Sequence, residues 1–351
     1  MRARLMILFA GVLLAALLLP AADLPARPRL AGHFKAVIHD TDASLYQVRY
    51  FKDGGVYVCG ADGWFVFSND HGKSWDSNQL REGVSIKVMD WPSRKTAILA
   101  GRKDGKNVVW RTSDRGATFD KKRVDTEVPI RGYAFLGLTK GFLVAGSVKS
   151  KDGTWRVSKD GGSTFAKVDS VAYGNPARAL MAISRAGEKS LFAVGGHVEV
   201  GYVGDSARSL LYKKKKGSVL RSTDKGRTWE VLDAGNPAGT RLYAVDFFDE
   251  KNGWVVGEKG FAAMTADAGK TWKKVGTDTT ERLNAVQMIE QNVIYMVGEN
   301  GVARGTVNSG TTMVTFRTHT KRDLRDLSFV TEHKGFVVGT SGTVLKFIRE
   351  F

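Results

Sequence analysis

Ser222-Thr223-Asp224-Lys225-Gly226-Arg227-Thr228-Trp229 is the stretch that decides the fold, because the same eight-residue box recurs along the chain. Its pattern is Ser/Thr-x-Asp-x-Gly-x-Ser/Thr-Trp/Phe, and the other full copies begin at Ser68, Thr112, Ser158 and Thr265. A sixth copy carries Asn308 in place of the aspartate. Repetition at a nearly fixed interval is typical of folds built from identical supersecondary units.

Each position of the box suits a tight turn between two strands. The aspartate can accept backbone N–H groups, the glycine can adopt a positive φ, and the aromatic ring can be buried beneath the turn. We therefore interpret the box aspartates as structural rather than catalytic. They are Asp70, Asp114, Asp160, Asp224 and Asp267.

The spacing of the boxes predicts the fold. Successive box positions lie 44, 46, 64, 43 and 41 residues apart, and a four-stranded propeller blade takes about 40–50 residues. Short runs of β-branched and aromatic residues between Gly and Asn turns support strands throughout. We predict an all-β, seven-bladed β-propeller of four-stranded blades over residues 33–351, with an insertion in blade 4 at about residues 195–217.

The last unit, Asp323–Phe351, has sequence for only three strands. The segment Phe34–His39 precedes the first blade and belongs to no other unit. We expect it to add the missing outer strand and close the ring, because an open sheet edge promotes aggregation.

The N-terminus indicates export. Residues 1–22 combine a basic start with an apolar run from Leu5 to Leu19, which fits a signal peptide or an uncleaved membrane anchor. Residues 23–32 resemble a linker. We expect an exported protein of the periplasm or a lumen, either released by cleavage or anchored at an uncleaved N-terminus.

The composition limits the kinds of site and partner that the protein can have. Cys59 is the single cysteine, which excludes a disulfide framework and cysteine-based metal sites. The six histidines show no metal-ligand spacing, so neither a metal nor a cofactor is predicted. The formal net charge of +17 favours an anionic partner. Export argues against nucleic acid and leaves an acidic protein surface or an anionic membrane.

Arginines cluster near the predicted start of the innermost strands, where a propeller opens its central channel. Arginine pairs bidentately with carboxylates. We predict partner binding through an Arg-rich face formed by Arg131, Arg178, Arg241, Arg282 and Arg325.

The blade 4 insertion contains four consecutive lysines beside Leu210-Leu211-Tyr212. Such a cluster can contact anionic headgroups, although a solvated lysine tip is an equally good interpretation. The residues are Lys213, Lys214, Lys215 and Lys216.

The box is similar to the Asp-box, or BNR repeat, of sialidases and sortilin-type receptors. The longer unit Leu242-x-x-Val245-x-Phe247, followed by Gly253-Trp254-Val255-Val256-Gly257-Glu258, resembles the Ycf48/HCF136-like family of photosystem II assembly factors. The resemblance covers residues 34–351. It implies a non-enzymatic propeller outside the cytoplasm that assists the assembly or stability of a membrane protein complex. The blade 4 insertion departs from the family pattern.

A glycoside hydrolase of the sialidase type is the alternative function. Arg131, Arg241 and Arg282 could imitate the arginine triad of that class. However, the Arg-Ile-Pro motif is absent from the sequence, and no Tyr–Glu nucleophile pair is recognisable. We therefore favour a binding scaffold over an enzyme.

Overall fold

The computed structural model describes residues 31–37, 41–80, 83–124, 129–145, 154–167, 180–202, 210–237 and 240–349. It is an all-β, seven-bladed propeller of four-stranded antiparallel sheets, which confirms the predicted fold class. Residues 1–22 and most of the predicted linker lie outside the described residues. Among the described residues, no helix has the length and apolar character needed to span a membrane.

Blades 1 to 4 follow one another along the chain. Within each of them the strands follow in sequence order from the innermost to the outermost. Blade 1 contains β2 (Leu45–Tyr50), β3 (Val56–Gly60), β4 (Trp64–Ser68) and β5 (Asp76–Gln79). Blade 2 contains β6 (Ser85–Asp90), β7 (Ala97–Lys103), β8 (Lys106–Thr112) and β9 (Asp120–Arg123). Blade 3 contains β10 (Ile130–Leu136), β11 (Lys140–Ala145), β12 (Thr154–Ser158) and β13 (Ala166–Lys167). Blade 4 contains β14 (Leu180–Ala186), β15 (Ser190–Tyr202), β16 (Leu210–Ser222) and β17 (Glu230–Leu232).

Blades 5 to 7 complete the ring. Blade 5 contains β18 (Leu242–Phe247), β19 (Gly253–Gly257), β20 (Ala262–Thr265) and β21 (Lys273–Val275). Blade 6 contains β22 (Leu283–Met288), β23 (Ile294–Gly298), β24 (Ala303–Thr306) and β25 (Val314–Thr315). Blade 7 contains β26 (Leu324–Thr331), β27 (Lys334–Gly339), β28 (Val344–Arg349) and the N-terminal strand β1 (Gly32–Ala36). Successive innermost strands contact one another around the ring, including β2 with β26.

The N-terminal strand forms the outer edge of blade 7. It pairs antiparallel with β28 from Gly32↔Arg349 to Ala36↔Leu345. On its other side, the Phe34 N–H donates to the Arg317 carbonyl at 2.9 Å. The strand thus begins two residues before the predicted Phe34 and ends at Ala36, while Ile38 and His39 lie outside the described residues.

The blade 4 insertion extends a hairpin of the blade. β15 and β16 each span 13 residues and pair from Leu191↔Ser222 to Tyr202↔Leu210. Residues 195–202 and 210–217 therefore continue the two central strands beyond the length found in the other blades. Antiparallel pairing satisfies the backbone groups of these two segments.

Each box turn rests against the preceding blade. In blade 2, the Asp114 carboxylate accepts the Thr118 N–H at 2.9 Å and the Thr118 hydroxyl at 2.5 Å. The neighbouring Gly116 lies beside the Phe65 ring of blade 1, and the Phe119 ring meets Phe65 at 5.3 Å, edge to face. The boxes therefore tie blade to blade as well as closing hairpins.

The box glycine is required both for its positive φ and because a neighbouring side chain leaves no space for a Cβ. Substitutions can distinguish these two requirements. A Cβ on Gly226, whose φ is +73°, would lie 2.4 Å from the buried Phe142 ring. Gly235 has a similar φ of +64°, but no atom lies within 4 Å of the point that its Cβ would occupy. We expect Gly226→Ala to lower the free energy of unfolding by about 2 kcal/mol, from overpacking plus strain. Gly235→Ala should cost about 1 kcal/mol, from backbone strain alone.

Urea denaturation of the two variants measures the difference. Gly276→Ala is the control, because that position has neither a positive φ nor an atom within 4 Å, and it should leave stability unchanged or raised. Equal losses at Gly226 and Gly235 would show that the Phe142 contact adds nothing.

Candidate functional site

Every innermost strand carries a β-bulge directly after its first apolar residue. In blade 3, for example, the register shifts between Ile130 and Gly132, which leaves Arg131 as the extra residue. A bulge re-aims the side chain that it contains. The bulged residues of the seven blades are Tyr46, Lys87, Arg131, Met181, Tyr243, Asn284 and Arg325.

These seven residues form what we call the mouth ring. All of them line one cavity of about 300 Å³ at the end of the central channel. Three of the seven are cationic: Lys87, Arg131 and Arg325. The ring is therefore a cationic, partly aromatic opening built from equivalent positions of the repeat.

The ring cations influence one another. Burial lowers the pKa of Lys87, and the charges of Arg131 and Arg325 lower it further. Burial also lowers the pKa of Arg131. The Lys87 ammonium lies 5.1 Å from the centre of the Tyr46 ring, a cation–π distance. An anion at the mouth would relieve this mutual repulsion.

Arg325 retains unused hydrogen-bonding capacity. Its Nη2 is 4.0 Å from the Asp323 carboxylate, at the outer limit of an ion pair. Its Nε is buried and has no hydrogen-bond partner among the described residues. A guanidinium held this loosely can reorient toward an incoming carboxylate.

Arg282 lines the same cavity, but its guanidinium is engaged with protein groups. Its Nη2 is 2.6 Å from Glu299 Oε1, its Nε donates to Asn284 Oδ1 at 2.8 Å, and it lies 4.7 Å from the Tyr243 ring centre. Arg282 therefore positions two members of the mouth ring.

Arg241 lies outside this cavity. Its backbone N–H donates to Glu258 Oε2 at 3.2 Å, and its Nε is buried without a described partner. Arg241 and Arg282 each precede the first apolar residue of their strands, whereas Arg131 and Arg325 follow it. The predicted Arg-rich face thus combined arginines from two different positions relative to the start of the innermost strand.

The remaining predicted residues fall elsewhere. Arg178 lies outside the described residues. The backbone of β16 carries Lys213, Lys214, Lys215 and Lys216, but their side chains are not described. The box aspartates lie between the third and fourth strands, at the end of the blade opposite the mouth ring, because antiparallel strands alternate in direction.

Three carboxylates lie below the mouth ring, and we call them the throat carboxylates: Asp90, Asp246 and Asp326. Each accepts a backbone N–H from the next blade. Asp90 Oδ2 accepts from Phe135 at 2.8 Å, Asp246 Oδ2 from Met288 at 2.8 Å and Asp326 Oδ2 from Val48 at 3.0 Å. These carboxylates accept hydrogen bonds from backbone N–H groups of the innermost strands, which would otherwise be unpaired donors in the channel.

Desolvation in the channel wall favours the neutral form of these acids. It raises the pKa of Asp326 to about 7 and that of Asp246 to about 6, and it also raises the pKa of Asp90. The accepted hydrogen bonds and the positive charge of Arg49 oppose the rise without cancelling it. Asp246 and Asp326 thus titrate near neutral pH.

Sequence reasoning missed Lys87, the two ring tyrosines and the throat. Aligning the blades on the first apolar residue of each inner strand, Leu45, Ile86, Ile130 and so on, would have identified the ring. Among the described residues, no group of three or more His, Cys, Asp or Glu side chains is placed to hold a metal ion.

Comparison with known proteins identifies related chains. A family model of the photosynthesis system II assembly factor YCF48 matches residues 198–314. A vacuolar protein sorting/targeting protein 10 from Emericella nidulans is 36% identical over 70 residues, which are 20% of this chain and 5% of that protein. The present chain therefore matches only a small part of that relative.

Solved structures share the fold. YCF48 bound to D1 peptide matches with a TM-score of 0.66 at 14% identity, covering 90% of this chain and 97% of that one. YCF48 from Cyanidioschyzon merolae matches with a TM-score of 0.67 at 15% identity, covering 90% and 98%. A GH74 enzyme of Niastella koreensis matches with a TM-score of 0.64 at 13% identity, covering 89% of this chain and 53% of that one. The chain is thus similar to YCF48 in the segment that the family model matches and shares the β-propeller fold of the YCF48 structures.

Proposed function

We propose that this protein is an exported, non-catalytic scaffold that captures an acidic segment of a protein partner at the mouth ring. The partner we propose is a membrane protein subunit, and the role is to assist assembly or stability of its complex. The observation that carries the proposal is the convergence of Lys87, Arg131 and Arg325 on one cavity through bulges in equivalent strands.

The dimensions and chemistry of the ring indicate what can bind. A cavity of about 300 Å³ admits a few side chains of a loop or tail, not a folded domain. Arginine pairs with carboxylates in a planar fork, and the tyrosines and Met181 offer apolar contact to neighbouring side chains. The net charge of +17 would also speed the approach of an acidic partner.

The comparisons support a peptide-binding role. One solved relative is described as YCF48 bound to D1 peptide, and the matching family model describes an assembly factor. For the present chain, we propose a segment of a membrane protein as the ligand. Contact of Lys213–Lys216 with an anionic membrane, and the location outside the cytoplasm, stay predictions.

Charge reversal in the ring tests the proposal. We expect Arg131→Glu combined with Arg325→Glu to weaken binding of a fluorescein-labelled hexaglutamate peptide about 30-fold, because two attractive charge pairs become repulsive. Fluorescence anisotropy at fixed low salt measures the dissociation constant.

Arg227→Glu combined with Lys270→Glu is the matched control. It changes the net charge equally, at exposed box positions on the opposite end of the blades, and should alter affinity less than threefold. Equal weakening in both double variants would reduce the interaction to non-specific charge attraction and refute the mouth ring as its site.

Glycoside hydrolysis is the second candidate, because the GH74 enzyme of Niastella koreensis and a GH74 xyloglucanase of Xanthomonas campestris have a similar fold. The raised pKa values of Asp246 and Asp326 would suit a general acid. Against this, each throat carboxylate already accepts a backbone N–H between blades. Release of reducing sugar from xyloglucan, lost on Asp246→Asn, would favour the enzyme over the scaffold.

A further inference from the structure

The mouth ring and the throat carboxylates form two oppositely charged layers of one channel. Asp326 lines the same cavity as the ring cations and directly follows Arg325 in β26. Asp90 and Asp246 lie three residues after the ring members Lys87 and Tyr243, one layer deeper. An anion held at the ring therefore lies above acids of the same channel.

The groups facing the throat carboxylates come from several blades. Arg49 of β2 acts on all three acids, and Arg185 of β14 acts on Asp90. The charge of Asp246 raises the pKa of Asp326, and Ser184 donates to Asp246 Oδ1 at 3.3 Å.

The ring side of the throat carries Lys87, Arg131, Arg282 and Arg325 together with the phenols of Tyr46 and Tyr243. The Cys59 thiol is also near Asp326, and burial raises the pKa of Cys59. The two throat acids with pKa values of about 6 and about 7 thus titrate between fixed arginine charges.

The hydrogen bonds of the throat tolerate protonation. In each of the three acids the Oδ2 oxygen accepts a hydrogen bond from a backbone N–H of the next blade. A proton on the other oxygen leaves that acceptor in place, and at Asp246 the Ser184 hydroxyl can then accept a hydrogen bond from Oδ1 rather than donate to it. The acids can therefore change charge while the contact between blades is kept.

We propose that capture of an anionic segment at the mouth ring is coupled to proton uptake by the throat carboxylates, so that binding tightens as the pH falls. This inference rests on the proposed function. Protonation of the throat carboxylates removes their repulsion of the bound anion. The attraction between that anion and the ring cations is then no longer opposed. By linkage, the bound anion in turn raises the proton affinity of the throat.

The test measures hexaglutamate affinity between pH 6.0 and pH 8.0, a range in which the glutamates of the probe remain ionised. We expect binding to be about fivefold tighter at pH 6.0, the effect of neutralising one to two solvent-screened charges in the same channel. Calorimetry of the unaltered protein in buffers of different ionisation enthalpy should show net proton uptake on binding.

Asp246→Asn combined with Asp326→Asn keeps an acceptor oxygen at each position and should bind at pH 8.0 as tightly as the unaltered protein does at pH 6.0. Asp120→Asn combined with Asp278→Asn removes the same charge away from the channel and should retain the pH dependence. A pH dependence that survives in the throat variant, or binding without proton uptake, overturns the inference and leaves the proposed function standing. Absence of binding at every pH overturns both.

Discussion

Phe34→Ala should lower the free energy of unfolding by about 4 kcal/mol, the cost of removing a large buried aromatic side chain. The Phe34 ring is 1% exposed and meets the rings of Phe347, Phe316 and Phe329 at 5.2, 6.1 and 6.3 Å. These rings belong to blades 6 and 7, so the N-terminal strand fastens two blades at once. Urea denaturation followed by tryptophan fluorescence measures the loss.

Lys35→Ala is the matched control, because its side chain is exposed on the same strand, and it should change stability by less than about 0.5 kcal/mol. A chain that begins at Ala43 lacks β1 altogether and should melt at a clearly lower temperature than the full chain. Unchanged melting of that shortened chain would show that β1 is dispensable for the fold.

The repeat made the architecture predictable. The regular separation of Asp70, Asp114 and Asp160 reports the length of one blade, and that length survives changes in nearly every other residue. Spacing also predicts the blade 4 insertion, since only a gap of 64 residues departs from the series. Its form was not predictable, because a hairpin extended by strand pairing and a loop have the same length.

The site was less predictable because one residue of register decides which side chains share a face. The bulge after each first apolar residue places Tyr243 in the ring where Arg241 was expected, and it places Asn284 there beside Arg282, which lines the same cavity. A bulge breaks the alternation of period 2 on which strand reasoning depends. The throat was hidden for another reason: Asp326 meets the Val48 N–H across 278 residues of sequence, a contact that exists only once the ring is closed.

The throat carboxylates should make stability fall as the pH rises, which is the reverse of the usual behaviour of acids in folded proteins. A folded-state pKa of about 7 for Asp326 and about 6 for Asp246 exceeds the value of about 3.9 for an unfolded chain. The folded state therefore binds more protons between about pH 4 and pH 7, and stability is lost across that window. We expect about 3 kcal/mol less stability at pH 8.0 than at pH 5.0, after reduction for relaxation of the channel wall around these groups.

The box aspartates act in the opposite direction and at lower pH. The hydroxyls of Thr118, Thr164 and Thr271 donate to Asp114, Asp160 and Asp267 and lower the pKa of each to about 2. Their contribution is present above about pH 4 and is lost as the pH falls toward 2. The two sets together predict a maximum of stability near pH 4 to 5.

Urea denaturation at intervals from pH 3 to pH 8 separates the two sets. Asp246→Asn combined with Asp326→Asn should flatten the decline above pH 4, so that the variant is more stable than the unaltered protein at pH 8.0 and nearly equal to it at about pH 4. Asp120→Asn combined with Asp278→Asn should follow the unaltered profile, because these acids lie outside the throat. If the decline persists in the throat variant, the channel acids are ionised at little cost, and the proton-coupled capture proposed above loses its physical basis.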